Sequence, residues 1–136
     1  IKEDAKDVEY AQKVIKIFEP HVRVIFAGRK RYFNALRESG LRSYLNGISM
    51  VNPNLAFKFW ELYEKGDNDE ISEFLSRYDD PFWEGPVKKY GWHRVNKASL
   101  EIAGLMSRIE RSPLQEINKD ELKEIEPLIL KLANSL

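Results

Sequence analysis

The chain contains no cysteine and only two methionines and two histidines among its 136 residues. Without cysteine there can be no disulfide and no thiolate-bound metal, a pattern that fits the cytoplasm. His21 and His93 stand apart from each other and from carboxylates at metal-ligand spacing, so no metal site is expected. No apolar run approaches the roughly 18 residues of a spanning helix, and no signal peptide is visible, so no membrane partner is expected. An excess of either charge is also lacking: Lys plus Arg and Asp plus Glu each number 22. A balanced chain has no general attraction for nucleic acid, and the tryptophans are not interleaved with a basic stripe as a base-stacking surface would be. Apolar residues are plentiful, at 43%, enough for a packed core and too many for a disordered chain.

The pattern along the chain divides near residue 66. Before it, helical and strand-like stretches alternate. Residues 7–18 carry Val8, Ala11, Val14, Ile15 and Phe18 at the spacing of one helix face, ended by Pro20. Residues 22–26 are short and β-branched and predict a parallel strand covered on both faces. Residues 31–38 predict a short helix with Tyr32, Phe33 and Leu36 inward and Gly40 as its stop. Residues 41–46 predict another strand and 47–51 a loop. Asn52-Pro53 is a strong helix start, with an N-cap followed by proline at the first helical position; this helix runs to Gly66. Such alternation with short joins predicts βαβ units and a parallel sheet.

Beyond Gly66 the sequence predicts helices only. Asp67 with Glu70, and Asn118 with Glu121, have capping-box spacing. Asp79-Asp80-Pro81 predicts a break or kink, Val95, Leu100 and Ile102 are candidate core residues of a helix over 93–103, and Pro127 predicts a bend in the last helix. Two domains are therefore expected: residues 1–66, α/β, and residues 67–136, helical.

The chemistry centres on Lys2. A lysine behind an apolar residue, ahead of a turn and an amphipathic helix, fits the inner end of a strand whose side chain enters a closed site; a frayed, solvated terminal lysine fits the same position. A free lysine amine, with a pKa of roughly 10.4, is protonated at neutral pH. Inside an apolar pocket it loses its charge and becomes a nucleophile able to form a Schiff base with a keto acid.

The order of the pieces carries a resemblance: Ile1-Lys2-Glu3, a helix, the segment Val-Arg-Val-Ile-Phe-Ala-Gly at 22–28, a helix, a short strand, Asn52-Pro53, Gly66-Asp67 and a helical tail. Over nearly its whole length the chain resembles the C-terminal half of the dihydrodipicolinate synthase and N-acetylneuraminate lyase family. The resemblance implies the C-terminal part of a (β/α)8 TIM barrel, strands six to eight, followed by a C-terminal helical bundle. It implies a Schiff-base lyase, aldolase or synthase acting on pyruvate or another 2-keto acid, with Lys2 forming the imine and neither metal nor organic cofactor. Gly28 matches the family glycine beside the pocket. Tyr44 falls where a strand-eight backbone carbonyl faces the keto acid, and Asn46 ends that strand.

Where the lyases carry acidic or polar residues after strand seven, this chain has Arg29-Lys30-Arg31. These are either a grip on an anionic substrate tail, Arg29 above all, or a solvated helix start. Lys97 resembles a structural lysine of the family's bundle. The family's carboxylate-binding turn and proton-relay tyrosine have no match here, and the chain starts without a lead-in. It is therefore expected to be a piece whose missing N-terminal half completes the barrel. The resemblance also implies a homo-oligomer, a tetramer. A non-catalytic barrel relative acting as a regulator or scaffold, with Lys2 structural, is the alternative.

Overall fold

A computed structural model describes residues 1–4, 7–45 and 47–136. The chain forms two compact units, Ile1–Asn46 and Gly47–Leu136. The first holds three short parallel strands in the order β1 (Lys2–Glu3), β2 (Ile25–Ala27) and β3 (Tyr44–Leu45). Each consecutive pair is joined through a helix, α1 (Val8–Phe18) and α2 (Lys30–Ala35). Register pairs Lys2 with Ile25, Glu3 with Phe26 and Phe26 with Tyr44. The expected α/β class and parallel pairing are therefore present.

Local chemistry fixes where these elements begin. Asp7 caps α1 by accepting the Tyr10 N–H at 3.0 Å, and the helix buries Ala11 and Ile15, one turn apart. Glu19 then reaches forward and accepts the Val24 N–H at 2.6 Å while pairing with Arg23 at 2.5 Å. That bond takes Val24 out of the ladder, so the strand expected over 22–26 starts later, at Ile25. Phe33 and Leu36 are fully buried as expected. Residues Arg37–Ser39 tighten into a 3-10 turn, and Gly40 ends it at φ +85°. Residues 41–43 then carry the chain back to the sheet. This shortens the expected strand 41–46 to Tyr44–Leu45, although Leu41 remains buried.

The second unit is helical throughout. A 3-10 turn, Ile48–Met50, occupies the expected loop and leads to α3 (Pro53–Lys65). Asn52 caps α3 through its Oδ1, which accepts the Asn54 N–H at 3.0 Å. Its Nδ2 donates to the Leu132 and Ser135 carbonyls at 2.9 and 2.6 Å. One buried amide thus ties the start of α3 to the end of α8 (Lys119–Ala133). Gly66 closes α3 at φ +80°.

Helical backbone then runs without a break from Asn68 to Tyr90, through α4 (Asn68–Phe74), α5 (Asp80–Phe82) and α6 (Lys88–Tyr90). The break expected at Pro81 does not occur. Wider π turns lie at Leu75–Asp79, just ahead of Pro81, and at Trp83–Val87, around Pro86. Proline lacks an N–H and its ring collides with the carbonyl four residues earlier. A π turn lengthens that spacing and relieves both problems without ending the helix.

Gly91, at φ +90°, separates this run from α7 (Trp92–Ile102). The face of α7 that is buried is Val95, Asn96, Ala98 and Ser99; the expected core residues Leu100 and Ile102 are only partly covered. The link to α8 is pinned by Arg108, which binds Glu101 and donates from Nε to the Ile117 carbonyl at 2.7 Å. Lys97 donates to the Ile109 carbonyl and pairs with Glu110 at 3.4 Å. A complete capping box of Asn118 and Glu121 starts α8, which buries Ile125, Ile129 and Leu132. Pro127 lies on its exposed side, where water can satisfy the carbonyl it frees, and the helix continues past it. Among the described residues no helix is long and apolar enough to cross a membrane.

Candidate active site

In a parallel ladder, register partners point to the same face and neighbours along a strand to opposite faces. Glu3, Phe26 and Tyr44 therefore share one face, and Lys2, Ile25, Ala27 and Leu45 share the other. The first face packs beneath α2: the Phe33 ring lies 6.4 Å from Phe26 and 4.7 Å from Tyr44. Lys2 points away from the helices. Its face is open at both ends of the sheet, with the Lys2 side chain 57% and Leu45 50% exposed.

The closed apolar pocket expected around Lys2 is thus absent among the described residues. Its Nζ instead donates to Asp4 Oδ2 at 3.1 Å, in a solvated ion pair. The cause is architectural. A sheet of three strands has no opposing wall, whereas a closed barrel supplies one from its other strands.

Parallel strands also end at one edge, and Asp4 and Gly28 follow β1 and β2 there. Gly28 adopts φ +136°, a backbone conformation that side-chain-bearing residues rarely take. A Cβ at this position would stand 3.6 Å from Asp4 Oδ1 and from the Phe26 ring. Those are ordinary contact distances, so the positive φ, and not a lack of space, is what favours glycine here. Lys2, Asp4 and Gly28 form one constellation.

The other sequence candidates divide. Tyr44 has its side chain on the helix-covered face, where its hydroxyl donates to the Gly28 carbonyl at 2.8 Å. The side chain thus braces the edge from behind, and only the Tyr44 backbone belongs to strand β3. Arg29 is the N-cap of α2 and makes no capping bond to it; its guanidinium lies 5.9 Å from the Tyr32 ring centre. The expected cluster of three exposed cations is not formed, because Lys30 is buried, at 2% exposure, while Arg29 and Arg31 are half-buried. Asn46 lies outside the described residues.

Asp4 was not a candidate on sequence grounds. The signal is partial: in a strand, residue i+2 returns to the face of residue i, and Asp4 stands two beyond Lys2. Asp4 itself lies just past the end of β1, so strand alternation alone does not single it out.

The titrating groups with shifted values belong to the helical unit. Hydrogen bonds from Lys89 and then Tyr90 hold the Glu124 carboxyl low, and Glu124 in turn raises Lys89. The Arg108 backbone N–H, reinforced by its guanidinium, holds Glu101 low. Among the described residues no group of histidines and carboxylates could hold a metal.

Three comparisons bear on this edge. The model of the dihydrodipicolinate synthetase family matches residues 1–132. Neither the curated proteins nor the solved structures yield a match.

Proposed function

The chain belongs to the dihydrodipicolinate synthetase family, and from that premise we propose that it carries the Schiff-base lysine of a pyruvate-type class I lyase, aldolase or synthase. The family implies a TIM barrel, and β1, β2 and β3 are read as its sixth, seventh and eighth strands. On this reading the open face of the sheet becomes the barrel lumen once the N-terminal half of the barrel is in place. One observation carries the proposal: Lys2 projects from the face of the sheet away from the helices, and the Asp4 carboxylate that it binds lies near Gly28. Active sites of such barrels lie at the C-terminal ends of the strands.

The chemistry follows from the amine. Lys2 attacks the keto carbon of pyruvate or a related 2-keto acid, and loss of water leaves an iminium. That cation draws electrons from the neighbouring carbon, so a carbon–carbon bond there breaks or forms through an enamine. The iminium is the electron sink, and the proposal calls on no metal or organic cofactor. Gly28 admits substrate close to the backbone, the Tyr44 carbonyl lines the site, and Arg29 and Asn46 contact the substrate. A homotetramer is part of the same proposal.

The solvated ion pair with Asp4 favours a second reading, in which Lys2 is structural and the protein is a non-catalytic regulator or scaffold. Borohydride reduction of the full-length protein with pyruvate and a panel of other 2-keto acids separates the two. The expected result is a reduced adduct mapped by mass spectrometry to Lys2 and lost in Lys2→Arg. No adduct with any keto acid, or one equally present in Lys2→Arg, sinks the lyase reading in favour of the second.

A further inference from the structure

The stretch from Leu105 to Leu114, in the link from α7 to α8, is arranged inside out. A soluble segment ordinarily turns its charged side chains to water and its large apolar ones inward. Here two charged side chains turn inward: Arg108 is 16% and Glu110 7% exposed, held by Glu101 and Lys97 of α7. Leu105, Met106, Ile109 and Leu114 are instead between 46% and 67% exposed. The backbone beneath them is fixed from several sides. The Leu105 N–H donates to the Leu100 carbonyl at 2.9 Å, and Lys97 donates to the Ile109 carbonyl. Arg108 and Arg94 donate to the Ile117 and Glu116 carbonyls at 2.7 and 3.0 Å. An apolar ridge on so well tied a base loses little entropy when it is covered.

We propose that this ridge is a contact between two copies of the chain, related by a two-fold axis. Such a contact gives a surface to the homo-oligomer of the reading above; it rests on that part of the reading and is independent of Lys2. Size and charge both favour a second copy as the occupant. The four side chains offer about 400 Å² of apolar surface, as much as the largest patch on a typical monomer. Interfaces are about three-fifths apolar, so a patch of this size belongs to one of about 1,300 Å² over both copies, enough for a stable dimer. The exposed charges that flank Leu114 in the sequence are Arg111 and Glu116, one of each sign. A rim of a single sign would call for a partner of the opposite sign. A rim of both signs, on a chain of net charge zero, can complement itself, because a two-fold axis makes every contact twice.

Sedimentation velocity of the full-length protein tests this, with wild type, Ile109→Glu and Leu114→Glu compared over a range of concentrations. Both positions are exposed, so the variants are expected to keep the wild-type circular dichroism and to run at half the wild-type mass. Leu114→Ser adds no charge and decides the matter should the charged variants misfold. It is expected to raise the dissociation constant of the assembly about tenfold or more, since each copy loses a buried leucine. A monomeric wild type would overturn the proposal, as would an assembly that Leu114→Ser leaves unchanged. Charged variants that keep the wild-type mass but unfold at lower urea would also overturn it, because the ridge is then covered by another part of its own chain. Absence of a Lys2 adduct on borohydride trapping would refute the Schiff-base reading and leave this contact standing.

Discussion

Asn52 joins two helix ends of the helical unit through one side chain. Its Oδ1 caps α3 and its Nδ2 donates to the Leu132 and Ser135 carbonyls at the end of α8. Replacing it with alanine removes a cap, at about 1 kcal/mol, and leaves buried helix-terminal carbonyls without that donor, at about 1–3 kcal/mol. The expected loss for Asn52→Ala is therefore about 2–4 kcal/mol, read as a lower urea midpoint with an unchanged slope. Asn52→Asp separates the contributions, because it keeps the capping oxygen and loses the donor. If it is as stable as wild type, the tie to α8 contributes nothing. The capping half of this role was legible in the sequence, since Asn-Pro ahead of an apolar stripe signals a helix start. The tie was not, because it joins residues some eighty positions apart and no local pattern encodes it. The same divide runs through the candidate site. The face taken by Lys2 follows from strand alternation, but the burial of Lys30 contradicts what its charge suggests.

At the scale of elements, types were more legible than limits. α1, α3 and α8 appear where their apolar stripes and caps place them, because those signals are local. β2 begins late because a side chain, Glu19, captures a backbone N–H that the strand would otherwise have used. Asp79-Asp80-Pro81 predicts a break or kink, and the chain instead stays helical and widens into a π turn just ahead of Pro81. Hydrogen bonds of that kind are chosen by packing and leave no mark in sequence spacing. The link from α7 to α8 shows how one titrating group can govern an element. The Glu101 carboxyl is held below its usual 4.5, first by the Arg108 backbone N–H. A carboxyl depressed in the folded state stabilises it above the unfolded value, and that contribution is lost as pH falls through the folded value. Amide exchange over residues 103–117, corrected for its intrinsic pH dependence, is therefore expected to show weaker protection below that pH while α3 stays protected. Glu101→Gln should loosen the segment already at neutral pH and flatten its response to acid. A variant with the wild-type response would assign the clamp to the Arg108 contact with the Ile117 carbonyl alone.

The molecule as a whole divides unequally in what each part can sustain. Gly47–Leu136 contains α3 to α8 around one shared apolar core, including Leu55, Phe59, Ile71, Phe82, Val95 and Ile129, all nearly inaccessible to water. Its helix ends are capped by its own residues, at Asn52, Asp67 and Asn118. Ile1–Asn46 has three strands of two or three residues, and one face of that sheet carries half-exposed Lys2 and Leu45. Short strands with an uncovered face and open edges do not bury enough apolar surface to offset the entropy of ordering them. Among the described residues neither edge is extended by a further strand, and sheet edges are where other chains can pair. Residues 47–136 expressed alone are accordingly expected to be helical by circular dichroism and to unfold in a single cooperative transition. Residues 1–46 alone are expected to show no such transition, or to associate on size-exclusion chromatography. The barrel reading makes a further demand: the 1–46 stretch should gain its cooperativity only when the other barrel strands cover its open face and edges. A cooperative, monomeric 1–46 fragment would show that this sheet needs no further strands, and would remove the physical reason for treating the Lys2 face as one wall of a lumen.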